Sequence, residues 1–219
     1  MVPKSGQQAA NGSFTALREF ARKRLAEELC EMCSAGLPEE HQHLMELSTR
    51  KLVCACDACA VLFSGQASAK FKRIPRGVWF LRDFHMSDAQ WENLRIPIEL
   101  AYICRSSPQG QAIAYYPGPA GAIESLLSLQ AWSDIEEANP ILKKLVSDVM
   151  ALLINRTGAS QGIAPDFYAV PIDECYKLAG LIRMHWRGLS GGTEVWSQVN
   201  GYFASLKSKA EVTLAEPYA

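Results

Sequence analysis

The chain has 219 residues, enough for one domain or for a larger body with a small satellite. Hydrophobic residues make up 48 % and charged residues 21 %, a globular composition that excludes disorder as the main state. The formal net charge of −1 lacks the basic excess with which nucleic-acid-binding proteins neutralise phosphate, so a nucleic-acid partner is not expected. No apolar run is long enough to span a bilayer.

The N-terminal residues are polar rather than signal-like. Residues 1–12 are polar, so we expect a flexible tail and a cytoplasmic protein without a membrane partner. Ser13 begins a predicted helix that runs into Cys30, with apolar residues at helical spacing: Phe14, Leu17, Ala21, Leu25 and Leu29. The predicted organisation is a tail over 1–12, a helix with a metal-binding module over 13–65, an α+β body over 66–208 and a tail over 209–219.

Five of the seven cysteines lie between positions 30 and 59. In a chain with no export signal, Cys-x-x-Cys pairs indicate metal ligands rather than disulfides. Two residues between the thiolates let both turn toward one ion, and two such pairs supply a tetrahedron. The predicted ligands, in a zinc-ribbon or treble-clef-like module, are Cys30, Cys33, Cys56 and Cys59. Zinc is the expected ion, and an iron–sulfur cluster, which uses the same ligands, stays open.

Three further residues keep this ligand set open. If residues 52–56 are extended, Cys54 and Cys56 project to the same face, so Cys54 could substitute as a ligand. His41 or His43 could supply one nitrogen, and Cys54 with His43 could form a second site. Otherwise the two histidines are surface groups or groups that surround the zinc.

The segment after the cysteines begins with basic residues that alternate with apolar ones, over 70–82. This alternation favours a half-exposed strand with solvated side chains over a nucleic-acid surface. Residues 79–84 are predicted as a strand. Ser87, followed by Gln90, is a capping-box signature for a short helix that runs through Leu94.

The remaining elements alternate between strands and short helices. Residues 96–106 and 111–116 predict a hairpin, residues 117–121 a loop, and residues 123–129 a short helix. Asn139 and Pro140 open another helix. The last predicted elements are strands over 149–155 and 167–170 and helices with apolar stripes over 172–186 and 195–206. The order indicates an α+β fold with an antiparallel or mixed sheet and packed helices.

Residues outside the cysteine module do not form a catalytic motif. There is no Ser–His–Asp arrangement, no carboxylate pair with a motif and no nucleotide fingerprint, so no catalytic residue and no further cofactor is predicted. Residues 116–122 could present amides to an anion, although a structural turn explains them better. Cys104 and Cys175 are expected to be buried structural cysteines, because Cys104 lies within a strand and Cys175 lies on a helix stripe.

The order Cys-x-x-Cys, His-x-His, Cys-x-x-Cys is similar to the zinc frame of HNH-type treble-clef nucleases. Those enzymes need further metal-binding side chains near the second cysteine pair, where this chain has the apolar run Ala60–Phe63. The similarity therefore implies the geometry without the catalysis, and a degenerate nucleic-acid-binding protein is one alternative function.

A set of motifs along residues 29–207 resembles an uncharacterised bacterial family whose genes lie near uptake nickel–iron hydrogenase genes. The motifs are Cys30-Glu31-x-Cys33, His41-x-His43-Leu44, Cys54-x-Cys56-x-x-Cys59, Arg105-Ser106-Ser107, Tyr116-Pro117-x-Pro119-Ala120-Gly121, Val170-Pro171-Ile172-Asp173 and His185-Trp186-Arg187-Gly188. The resemblance implies a zinc-binding accessory or adaptor protein with a protein partner, for which a hydrogenase component is the candidate. The alternative is an iron–sulfur or thiol redox protein in which Cys54 is a labile fifth thiol.

Overall fold

The computed structural model describes residues 28–64, 70–125, 129–188 and 191–212. These residues form two antiparallel sheets with packed helices, so the predicted α+β class is confirmed. The strands are β1 (Gln42–Glu46), β2 (Lys51–Ala55), β3 (Phe71–Arg73), β4 (Trp79–Phe80), β5 (Leu100–Ser106), β6 (Gln111–Gly118), β7 (Gly121–Ser125), β8 (Met150–Asn155) and β9 (Asp166–Pro171). The helices are α1 (Asp57–Ser64), α2 (Asp88–Asn93), α3 (Leu129–Ala138), α4 (Ile172–His185) and α5 (Gly192–Lys209). No helix in the described part of the chain is long and apolar enough to cross a membrane.

The smaller sheet has the order β2-β1-β3 and carries the cysteine module. One face packs Leu44, Val53 and Ala55 against Cys30 and Cys59. Because successive side chains of a strand point to opposite faces, the neighbouring Met45 enters the main core instead. The module therefore lies between its own small core and the body.

The larger sheet has the order β4-β9-β8-β5-β6-β7, and all its neighbours are antiparallel. Both faces of its central strands are buried, which explains the continuous apolar run of β8. On one face Ala151 and Leu153 pack against α4 and α5, and on the other Leu152 and Ile154 pack with the tryptophans of α2 and α3. At the β4 edge, Glu211 N donates to Val78 O at 2.9 Å and Glu211 O accepts from Phe80 N at 2.8 Å.

Several predicted elements are confirmed by the structure. Residues 100–106 and 111–118 form the expected hairpin, and β8 and β9 lie where two strands were predicted. Ser87 makes a complete capping box with Gln90, so α2 begins where the signature placed it. The apolar stripes of α4 and α5 face the core, and α4 ends at His185.

Other predictions are wrong in ways that have local causes. Residues 121–125 form β7 rather than the start of a helix over 123–129, because β6 continues through Pro117 and pairs with them. The strand predicted over 79–84 ends at Phe80, since Phe84 N donates to Leu81 O in a turn. The helix predicted at Asn139 is a 3-10 helix, Pro140–Lys144.

The helix predicted from Ser13 falls mostly on residues 13–27, which lie outside the described residues. Its predicted end is wrong, because Leu29 forms an antiparallel bridge with Gly36 instead of a helical turn. The strand expected over 70–82 is reduced to β3 and the short β4, separated by Pro75, which has no N–H to donate to a ladder.

The cysteine module contacts the body through Arg50, which lies in the turn between β1 and β2 with a left-handed φ of 57°. Its guanidinium donates to the Tyr115 hydroxyl at 2.6 Å and to Cys104 Sγ at 3.1 Å, and it lies over the Tyr115 ring. The Tyr176 hydroxyl donates to the Arg50 carbonyl at 3.2 Å. On the neighbouring strand, Lys72 Nζ donates to Ser147 O at 2.7 Å.

Candidate metal centre

The first cysteine pair lies in a tight turn. Ser34 N donates to Cys30 O at 2.7 Å, and Cys30 N donates to Ala35 O at 2.8 Å. Ser34 has a left-handed φ of 62°, which reverses the chain immediately after Cys33. This turn directs both thiols of the Cys-x-x-Cys pair to one side.

The second pair spans the junction between β2 and α1. Cys56 follows the last strand residue, and Cys59 lies in the first turn of α1, where Ala60 N donates to Cys56 O at 2.9 Å. Residues 52–56 are therefore not extended throughout, so the strand alternation that would place Cys54 and Cys56 on one face stops at Ala55. The turn, hairpin and helix follow one another in the order of a treble clef.

The two pairs converge. The sulfur atoms of Cys30, Cys33, Cys56 and Cys59 all lie within 4.8 Å of one another, so these four cysteines could bind a metal ion. The Sγ atoms of Cys33 and Cys56 are 3.8 Å apart. A tetrahedral ion with metal–sulfur bonds of about 2.3 Å separates its sulfur ligands by roughly 3.8 Å. The measured distance is the edge of such a tetrahedron.

The pKa values of two of the four thiols are shifted in opposite directions. Burial alone would raise the pKa of Cys30, but backbone N–H groups of Cys56 and of the Cys30 turn lower the pKa to about 6. At Cys59, burial and the adjacent thiols raise the pKa to about 12. The protein therefore favours the thiolate form at Cys30 and opposes it at Cys59. A bound dication would remove this conflict, since it stabilises every thiolate that it contacts.

Glu31 fixes the first turn to the hairpin. Its backbone N donates to Cys54 O at 2.9 Å, and its carboxylate accepts from Cys54 N at 3.0 Å and from Lys51 Nζ at 2.6 Å. These hydrogen bonds hold the turn of the first cysteine pair against β2, the strand that leads into the second pair.

Cys54, His41 and His43 form a second group, whose ligand atoms also lie within 4.8 Å of one another. Cys54 pairs with His43 across the β1–β2 ladder. The His41 side chain is only 6 % exposed, so it is not a surface group. His43 Nδ1 lies 2.9 Å from Asp173 Oδ2, at the start of α4.

In the sequence, Asp173 stands out only as the last residue of the motif Val170-Pro171-Ile172-Asp173. The structure places it against His43, which is 130 positions away in the chain. No local pattern in the sequence signals this contact. Both residues fall in the motifs on which the family resemblance rests.

The remaining candidate residues are structural. Cys104 and Cys175 are buried, and burial raises the pKa of both thiols, as expected for structural cysteines. Residues 116–122 are the end of β6, a two-residue turn and the start of β7, which is the structural alternative. Gly121 has a left-handed φ of 109° at this turn.

Three of the four basic side chains over 70–76 have partners within the protein. Lys70 Nζ pairs with Glu46 Oε1 at 2.6 Å, Arg73 Nε donates to Gln42 Oε1 at 3.0 Å, and Lys72 Nζ donates to Ser147 O at 2.7 Å. These contacts hold β3 against its neighbours.

The comparisons with known proteins give a family and no activity. The profile of a family of unknown function, DUF5947, matches residues 29–210. No curated protein and no solved structure matches the chain. The match contains both cysteine pairs, both histidines, Asp173 and nearly all of the described body. The chain belongs to the family of unknown function DUF5947.

Proposed function

We propose that the protein is a zinc-binding adaptor, in which one structural zinc held by Cys30, Cys33, Cys56 and Cys59 fixes a protein-binding surface. The convergence of these four sulfur atoms within 4.8 Å carries the proposal. Four thiolates around one ion are the usual closed arrangement of structural zinc, with no position open for chemistry.

The sulfur spacing favours a single ion over an iron–sulfur cluster. In a four-iron cluster each thiolate binds a different iron, so the ligand sulfur atoms lie farther apart than the edges of a one-ion tetrahedron. All four sulfur atoms lie within 4.8 Å of one another, and the 3.8 Å between Cys33 and Cys56 matches a single ion. Iron held by the same cysteines remains the alternative function, as an iron–sulfur or thiol redox protein.

The proposed binding surface is the outer side of α1. Val61 and Leu62 are 66 % and 69 % exposed, whereas Cys59 and Ala60, two positions and one position before Val61, are buried. The adjacent Phe63 contacts the ring of Phe71, which orients this end of the helix. Adjacent exposed apolar side chains at a fixed helix favour an interaction site. Because Cys56 and Cys59 belong to this helix start, the metal would set the orientation of the surface.

The proposed partner is a hydrogenase component. Support for it comes from the resemblance to a family encoded beside uptake hydrogenase genes, which is an association rather than a mechanism. An adaptor that uses α1 would need no catalytic residue of its own. The proposed role is thus the assembly or operation of the hydrogenase, in the cytoplasm.

The metal is tested by anaerobic purification, elemental analysis and an absorption spectrum. We expect a colourless protein, and we expect Cys33→Ser to lose one equivalent of zinc that the control Cys175→Ala retains. Unchanged zinc in Cys33→Ser would refute the four-cysteine site. A brown protein whose visible absorption disappears in Cys33→Ser would show the iron–sulfur alternative instead.

The surface is tested by co-purification with hydrogenase components. Leu62→Asp should abolish the capture of the partner while the zinc content stays unchanged. Met184 is as exposed as Val61 and lies on α4, so Met184→Asp is the matched control and should leave capture intact. Equal capture by both variants would argue against α1 as the binding surface.

A further inference from the structure

The group formed by His41, His43 and Cys54 is separate from the four cysteines. Val53 and Ala55 point into the small core beside Cys30 and Cys59. Cys54 lies between them on β2 and therefore projects from the opposite face, toward the histidines. The two groups thus lie on opposite faces of one hairpin.

The hydrogen bonds of both histidines leave the same ring nitrogen available. His41 Nδ1 donates to Pro38 O at 3.0 Å, because a carbonyl oxygen only accepts. His43 Nδ1 donates in the same way to the Asp173 carboxylate at 2.9 Å. In a neutral imidazole, a protonated Nδ1 leaves a lone pair on Nε2, which is the form that binds metal ions.

His41 Nε2 is buried and has no hydrogen-bond partner among the described residues. A buried nitrogen acceptor without a partner loses the solvation that it had in water, at a cost to stability. A metal ion between Nε2 and the neighbouring donors satisfies it. This orphaned nitrogen points to a ligand independently of the clustering of the three residues.

We propose that His41, His43 and Cys54 bind a second divalent transition-metal ion, with zinc as the natural occupant. Two imidazole nitrogens and one thiolate are borderline-soft donors, which select ions of this class over magnesium or calcium. The donor atoms of a tetrahedral zinc lie roughly 3.3–3.8 Å apart, so atoms that already lie within 4.8 Å of one another need to close by no more than about 1.5 Å. Cys54 pairs with His43 across β1 and β2, so the hairpin holds two of the three ligands side by side.

Asp173 is the positioning residue of this site. Its carboxylate orients the His43 ring and fixes the tautomer, the role that carboxylates play behind histidine ligands. It lies in the first turn of α4, where the helix dipole favours negative charge. The second metal would therefore connect the hairpin to the body.

The second site borders a cleft of about 280 Å³ whose walls include His41, His43 and Asp173 but not Cys54. With three protein ligands, a tetrahedral ion has one position left, and the cleft gives solvent access to it. A closed four-thiolate site has no such position. The second ion can therefore bind an exogenous ligand.

The test is a titration of reduced, metal-free protein with Co²⁺, followed by displacement with Zn²⁺. We expect two equivalents per chain, one with the intense charge-transfer absorption of four thiolates and one with the weaker absorption of a single thiolate. His43→Ala and Cys54→Ser should each lose only the second equivalent, and the retained first equivalent shows that the module is folded. Wild-type protein that binds a single equivalent would overturn the proposal.

His185 provides a matched control, because its Nδ1 also lies 2.9 Å from a carboxylate, that of Glu194, but it belongs to no group of potential metal ligands among the described residues. His185→Ala should retain both equivalents, and loss of the second in this variant would overturn the assignment. Asp173→Asn should weaken the second site about 10–100-fold in competition with a chelator and leave the first site unchanged. Equal weakening of both sites would instead overturn its positioning role.

The open position has its own readout. Azide should shift the spectrum of the Co²⁺-loaded wild type and not that of Co²⁺-loaded His43→Ala. An unshifted wild-type spectrum would overturn the open position. The four-cysteine site and the second site can be refuted independently, because Cys33→Ser should remove only the first equivalent of metal and leave the second.

Discussion

Replacing Arg50 tests how firmly the cysteine module is held to the body. Arg50→Ala removes charge-assisted hydrogen bonds to the Tyr115 hydroxyl and to Cys104 Sγ, together with the cation–π contact. A hydrogen bond from a charged group contributes about 1.5–3 kcal/mol, and sulfur is the weaker acceptor. A cation–π contact adds about 0.5–1 kcal/mol. We therefore expect the free energy of unfolding to fall by about 2–4 kcal/mol.

The backbone of Arg50 supplies a second comparison. Its left-handed φ costs about 1–2 kcal/mol for a residue with a Cβ, and glycine avoids that cost. Arg50→Gly should therefore be at least as stable as Arg50→Ala, although it loses the same contacts. Arg95 has a similar φ of 52° but an exposed side chain, so Arg95→Ala is the control and should change stability by under about 0.5 kcal/mol.

Urea denaturation followed by circular dichroism measures these differences as midpoint shifts at a constant slope. A loss below about 1 kcal/mol in Arg50→Ala would refute the energetic role given to the guanidinium. A glycine variant less stable than the alanine variant would refute the role given to the backbone.

Three further predictions concern single side chains. Hydrogen bonds from Lys51 and from the Cys54 backbone N–H lower the pKa of Glu31 from its ordinary value of 4.5. The ionised Glu31 therefore stabilises the folded protein above pH 4.5, and this stabilisation is lost as the pH falls through the lowered pKa of the folded state. Because Glu31 is partly exposed, Glu31→Gln should lower the free energy of unfolding by only about 0.5 kcal/mol in urea titrations at pH 7. If the variant and the wild type still differ in stability in acid, where Glu31 is protonated, this reasoning is contradicted. Burial raises the pKa of Cys104 and Cys175, so both thiols should resist alkylation by iodoacetamide at pH 8 in the native protein. Peptide mass spectrometry measures the rate, and alkylation as fast as in the denatured chain would show that the thiols are accessible. The buried Asp148 carboxylate accepts two hydrogen bonds of 2.7 Å, from the backbone N and the hydroxyl of Ser107. Asp148→Ala should therefore lower the free energy of unfolding by about 2–3 kcal/mol in urea titrations. A loss under about 0.5 kcal/mol would contradict the role given to these hydrogen bonds.

The elements that sequence alone could predict are those whose signal is local. The capping box at Ser87 needs only the side chain of Gln90, and the stripes of α4 and α5 follow from a 3.6-residue period. The spacing of the cysteines predicted which residues could meet around an ion, because two Cys-x-x-Cys pairs specify their own geometry.

The elements that failed depend on partners elsewhere in the chain. Pro117 indicated a loop, but β5 stops pairing with β6 at Tyr115, so Pro117 lies where only β7 is its neighbour. A proline is tolerated there, because no second strand needs its missing N–H. The contact between His43 and Asp173 could not be predicted from the sequence either, because only the packing of α4 against the hairpin brings these two residues together.

The short C-terminal segment around Glu211 has a consequence for how the protein can be handled. Its hydrogen bonds satisfy the carbonyl of Val78 and the N–H of Phe80, which would otherwise be unpaired along the outer side of β4. Unpaired N–H and C=O groups on an edge strand can pair with strands of other molecules and so start aggregation. A chain shortened to end before Glu211 should therefore self-associate, and a purification tag is better joined through a spacer beyond this residue.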